Sequence, residues 1–179
     1  MSVPAQHPPM DERRLVDTIT DSETGLLNAA YFQIRLDEEF KKSWRFQWSY
    51  ALLLIEVQGL EALERRESRA AADALVLDIA GEVLTASRDV DLSARLSRNR
   101  FAMLLPGTPA TGARTMVQRI MSQVLDQCGE GISLSVGLTE APQEGLTTVD
   151  EFMTRSEAAL TLARSQGDNQ VVTWNAAAR

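Results

Sequence analysis

The spacing of apolar positions changes along this chain, and each change marks out an element. Residues 50–57, Tyr50-Ala51-Leu52-Leu53-Leu54-Ile55-Glu56-Val57, are almost continuously apolar, the pattern of a central strand covered on both faces. Before them, Phe32, Leu36 and Phe40 recur at four-residue spacing, one face of an amphipathic helix. After them, residues 60–87 read as a single helix with Leu75, Ile79 and Val83 stacked on one side. Two short apolar stretches, 92–96 and 101–105, flank the polar turn Ser97-Arg98-Asn99-Arg100 and predict a hairpin. A helix over 113–125, a strand over 132–139, a long helix over Val149–Ser165 and a closing strand within 169–174 complete the pattern.

Helices alternating with strands around one hairpin give an α/β fold, a mixed central sheet flanked by helices. Upstream, Asp21-Ser22-Glu23-Thr24-Gly25-Leu26-Leu27-Asn28 carries turn chemistry and a cap for the next helix. Residues 11–20 predict a short helix with Leu15, Val16 and Ile19 on its apolar side. The stretch before it, with Pro4, Pro8 and Pro9, reads as a flexible tail. The expected organisation is therefore a tail and short helix over 1–20, one domain over 21–175, and a terminal tail over 176–179.

Composition narrows the chemistry. The 179 residues are 44% apolar, enough for a real core. No apolar run approaches the roughly 20 residues that a membrane span needs, and no signal-like start is seen, so no membrane insertion and a cytoplasmic location are expected. The one cysteine, Cys128, reads as a helix-end residue, and the one histidine, His7, lies in the Pro-rich stretch. Mechanisms built on a buried His base or His-bound metal are disfavoured. A net charge of -7 argues against a broad face for long nucleic acid. Against that background Arg88, Arg95, Arg98 and Arg100 form a local cationic cluster.

Several segments, in order, resemble the GGDEF family of diguanylate cyclases. Asp21-x-x-Thr24-Gly25-Leu26-x-Asn28 followed by Phe32 resembles the family's opening motif. Leu54-Ile55-Glu56-Val57 occupies the place of its metal-bearing strand, and Ser133-Leu134-Ser135-Val136-Gly137 that of its Ser-x-Gly strand. Arg155-Ser156-Glu157-Ala158-Ala159-Leu160, then Gly167-Asp168-Asn169, resemble its last helix and following turn. Where the family carries Gly-Gly-Asp-Glu-Phe, this chain has Ser97-Arg98-Asn99-Arg100-Phe101. The register over about 21–174 carries the resemblance.

That resemblance implies a cyclase whose catalytic end has been disarmed. Joining two GTP molecules builds charge on phosphate oxygens, which the family meets with divalent cations on carboxylates. Glu56 stands at the first acid's place, Asn99 is a neutral and poor ligand for a hard cation, and Arg100 brings a fixed positive charge. Glu64 and Asp168 replace residues that read guanine and phosphate, while Asp73 and Arg164 are kept. An ion pair between Glu56 and Arg100 is expected across this place. A second site is retained: Arg88 and Asp91 match the family's Arg-x-x-Asp that binds cyclic di-GMP, and Arg119 matches an arginine from the next helix. An arginine fork suits phosphate or a guanine edge, and a carboxylate suits guanine N1 and N2. The expectation is a catalytically inactive receptor for cyclic di-GMP with no cofactor. It would relay its signal to a separate signalling protein and could form a homodimer on ligand. Two alternatives stay open: Arg88 and Asp91 as a helix-end ion pair, and a nucleotide-independent interaction module using Trp44, Phe46 and Trp48.

Overall fold

The computed structural model describes residues 16, 18–128 and 130–174. The proposed tails, His7, Leu15 and most of the predicted N-terminal helix lie outside them. The described elements are β1 (Leu27–Asn28), α1 (Ala29–Phe46), β2 (Tyr50–Gln58), α2 (Leu60–Arg66), α3 (Arg69–Ala86), β3 (Leu92–Ser97), β4 (Arg100–Pro106), α4 (Ala110–Gln127), β5 (Ser133–Ala141), α5 (Val149–Ser165) and β6 (Val171–Thr173). One six-stranded mixed sheet runs β1-β3-β4-β2-β5-β6, with the outer pairs β1–β3 and β5–β6 parallel and the inner ones antiparallel.

Strand alternation builds two cores. Ala51, Leu53, Ile55 and Val57 of β2 face one way, with Phe101, Met103 and Leu105 of β4, against Val76, Ile79 and Val83 of α3 and Val117 and Ile120 of α4. Tyr50, Leu52 and Leu54 face the other way with Ala102 and Leu104, against Phe32 and Leu36 of α1 and Phe152 and Leu160 of α5. Each large side chain so buried contributes about 1.5–3 kcal/mol. Both faces of the middle strands are covered, as the continuous apolar run anticipates.

The stretch 60–87 departs from the single helix expected of it. It is two helices, because Ser68 has extended backbone (φ -173°, ψ 163°) and its hydroxyl caps α3 by accepting from Ala71 N. The turn before α1 also contains a strand: Leu27 and Asn28 pair with Ala94 and Arg95, and Asn28 then caps α1 by accepting from Tyr31 N. Cys128 is the C-cap of α4, and burial together with Asp78 raises its thiol above the ordinary range, which suits a structural sulfur over a nucleophile. Trp44, Phe46 and Trp48 are exposed, with Phe46 and Trp48 stacked at 5.2 Å. No helix among the described residues is long and apolar enough to cross a membrane.

Candidate functional site

The β3–β4 hairpin carries a cluster of charged groups at each end. At the turn, Glu56 and Arg100 are direct cross-strand partners, and Arg100 Nε meets Glu56 Oε2 at 3.3 Å. The ion pair expected from the sequence is present, and it is extended. Arg164 Nη1 reaches Glu56 Oε1 at 3.1 Å from α5, and Arg100 Nη2 donates to Glu157 Oε2 at 2.6 Å. Glu157 and Arg164 lie seven positions apart on α5, two turns along one face. The four side chains thus alternate in sign as Glu157, Arg100, Glu56 and Arg164.

The opposite side of the same turn is tied down as firmly. Arg98 Nη2 meets Glu64 Oε2 at 2.6 Å and Asp73 Oδ1 at 3.4 Å, joining the turn to α2 and α3. Asn99 Nδ2 donates to Val57 O at 3.1 Å, and Val57 N donates to Asn99 O at 2.9 Å. A cavity of about 430 Å³ lies beside it, lined by Gly59, Glu61, Arg65, Arg98 and Asn99. The donor set does not fit the divalent cations that the resemblance implies. The single carboxylate of the strand is answered by two guanidinium groups, and the neighbouring oxygen is a neutral amide's. Among the described residues no group of three or more acidic, His or Cys side chains is placed to hold a metal ion.

At the far end, where α3 gives way to β3, Arg88 and Asp91 stand together. Asp91 Oδ2 accepts from Arg88 N at 2.8 Å and from Nε at 3.1 Å, and Oδ1 accepts from Nη2 at 2.8 Å. Nη2 also reaches Pro106 O at 3.0 Å and Thr108 Oγ1 at 2.7 Å. The Asp91 side chain is fully covered (0% exposed), whereas that of Arg88 is 55% exposed. The Asp91 hydrogen bond is the main reason the guanidinium sits above its ordinary pKa. A cavity of about 310 Å³ lies against this pair, lined by Gly25, Leu26, Leu84, Arg88, Asp89 and Asp91.

The structure brings Arg88 and Asp91 together, as the spacing anticipates, while Arg119 makes no hydrogen bond or ion pair with either. It is exposed on α4 and is not among the residues lining that cavity. Thr108 and the Pro106 carbonyl were not foreseen, since both are brought in by the end of β4, 18 and 20 residues downstream of Arg88. Glu157 was foreseen only as a motif position; its seven-residue spacing from Arg164 was the available signal.

Comparison with known proteins places this geometry in a family. The model for "Diguanylate cyclase, GGDEF domain" matches residues 18–170. The chain is 27% identical over 153 residues to diguanylate cyclase DgcM of Escherichia coli, a match spanning 85% of this chain and 37% of that protein. It is 25% identical over 154 residues to the bifunctional diguanylate cyclase/cyclic di-GMP phosphodiesterase MucR of Pseudomonas aeruginosa, spanning 83% of this chain and 22% of that one. The chain thus corresponds to a minor part of either relative. Among solved structures, the coiled coil and GGDEF domain of DgcB from Caulobacter crescentus, in complex with c-di-GMP, superposes with a TM-score of 0.84. That likeness, at 20% identity over 90% of this chain and 88% of that one, is one of fold. Diguanylate cyclase SiaD of Pseudomonas aeruginosa, in complex with its activator SiaC, gives 0.79 at 26% identity, over 90% of this chain and 64% of that one. With residues 18–170 matched by the family model and the fold shared at a TM-score of 0.84, the chain belongs to the GGDEF domain family.

Proposed function

We infer that this chain is a catalytically inactive GGDEF domain acting as a cyclic di-GMP receptor. Arg88 is its principal contact, Asp91 holds that arginine, and Arg119 closes on the ligand from α4. The observation that carries the reading is the contrast between the two ends of one hairpin. At the turn, every guanidinium is spent on a carboxylate of the same chain, and the one strand acid is spent on two arginines. At the other end Arg88 is oriented by three acceptors and still half exposed beside a cavity. A guanidinium so held loses little freedom on meeting a phosphate or base.

Signal relay then falls to contact with a separate protein, from a cytoplasmic location, and a dinucleotide with two bases could bridge two copies of the domain. The exposed Trp44, Phe46 and Trp48 support a second reading, an interaction module with no nucleotide ligand. Calorimetry separates the two. Cyclic di-GMP should bind the wild type, bind Arg88→Ala at least about tenfold more weakly, and GTP with Mg²⁺ should yield no cyclic product. Heat from neither nucleotide would hand the domain to the second reading; product formation would overturn inactivity.

A further inference from the structure

Helix α3 is apolar on both of its faces. Ala72, Leu75, Val76, Ile79, Ala80 and Val83 are buried in the first core. On the outer side Ala70, Ala74, Leu77, Gly81 and Leu84 follow one another at alternating steps of four and three residues, and all five are exposed. Leu77 and Leu84 are 48% and 49% exposed. This is the spacing of a seam that packs on another helix. A surface helix ordinarily turns a polar face outward, and an apolar one in its place marks a contact. The charged residues of α3 are Arg69, Asp73, Asp78 and Glu82, and all of them lie beside the seam and none on it.

Gly81 is a second, separate sign. It sits well inside the helix, where glycine is weaker than alanine. Nothing in its own chain asks for it, since a Cβ there would meet no atom within 4 Å. What it provides is a notch in the outer face, four residues after Leu77 and three before Leu84.

We propose that this face pairs with the same face of a second copy of the chain, antiparallel, about a twofold axis between Ala80 and Gly81. That axis sets Leu77 of each copy against Leu84 of the other and brings the two notches together, so that the helices approach closely. Charge selects the direction. Parallel helices would set Asp73 of one copy against Asp78 of the other, twice over. Antiparallel helices set Asp78 against Thr85, and Asp73 beside the end of α3 where Arg88 stands half exposed. Glu82 is turned aside to Gln127 Nε2 at 3.2 Å. The pairing uses no nucleotide and is independent of the receptor reading.

The experiment is sedimentation of the full chain without nucleotide, across the micromolar range, with thermal melts at low and high concentration. The wild type should pass from monomer to dimer, and its melting temperature should rise with concentration. Leu77→Glu and Gly81→Leu should melt no earlier than the wild type at low concentration, and each should weaken the dimer at least about tenfold. A surface that is merely sticky predicts the opposite for Gly81→Leu, which adds apolar area. Disulfide trapping in a Cys128→Ser background reads the register. Leu77→Cys mixed with Leu84→Cys should crosslink, whereas Leu77→Cys alone should not, because its two copies lie about 10 Å apart along the helices. A wild type that stays monomeric, a dimer undiminished in Gly81→Leu, or a self-crosslink of Leu77→Cys overturns the proposal.

Discussion

Arg95 sits on β3 with its side chain only 8% exposed and its fork fully committed. Nη1 donates to Asp21 Oδ1 at 3.2 Å and Glu23 Oε2 at 2.5 Å, Nε to Ser97 O at 3.2 Å, and Nη2 to Arg98 O at 3.3 Å. One side chain thus fastens the 21–25 turn to the hairpin. Burial raises the Asp21 carboxyl, but hydrogen bonds from Thr24 and Arg95 outweigh it, and the net shift is downward. A carboxyl lowered in the fold stabilises above its ordinary value and loses that contribution as pH falls through the folded one. Arg95→Ala should therefore cost about 3 kcal/mol at neutral pH, and the gap to the wild type should narrow below about pH 4. Urea unfolding of both proteins at the two pH values measures this; a constant gap would mean the cost is packing alone. Pairs at this scale were legible when short in sequence or, as for Glu56 and Arg100, when the two strands could be aligned through the family resemblance. Arg88 and Asp91, three apart, could be read from spacing, whereas Arg95 with Glu23 and Arg164 with Glu56, 72 and 108 residues apart, exist only through the sheet.

The elements were legible where one physical signal dominated. Val149–Ser165 ends where the pattern put it, because Thr148 caps its start by accepting from Glu151 N and the buried face, Phe152, Arg155, Ser156, Ala159, Leu160 and Ala163, runs on into its last turn. The break at Ser68 was hidden, since Leu and Ala on both sides satisfy a helical period and only the cap interrupts it. Two-residue β1 was hidden for a different reason: its pairing partner lies in β3, and no period exists in so short a strand. Gly137 shows how closely two elements can meet. A Cβ there would lie 2.3 Å from Ser156 O and 2.4 Å from Leu160 N, inside the backbone of α5. The glycine lets α5 lie on β5, which in turn sets Glu157 and Arg164 at the height of Glu56. Gly137→Ala should cost at least about 3 kcal/mol by forcing the helix away. A loss under about 1 kcal/mol in urea unfolding would show that the helix shifts without strain.

Across the whole molecule, the fold class was legible because the alternation of helices and strands admits few arrangements, while the state of each site was not, since it depends on which charges the fold brings together. The two charged clusters sit at opposite ends of β3, a strand of 6 residues, and at about 3.4 Å per residue they stand about 20 Å apart. Between them the hairpin is buried and paired on both sides, a rigid strut with Ala94, Ala102 and Met103 fully covered. Sites so far apart with no shared partner should contribute independently. Arg100→Ala removes one arm of the ion-pair chain at the turn; Arg88→Ala removes the exposed fork at the other end. In urea unfolding the double variant should equal the sum of the single changes to within about 0.5 kcal/mol. Under the receptor reading Arg100→Ala should also leave cyclic di-GMP affinity untouched. A coupling above about 1 kcal/mol, or a fall in affinity on Arg100→Ala, would mean that the hairpin transmits strain from one end to the other, and the turn would then be part of the signalling device instead of a sealed relic.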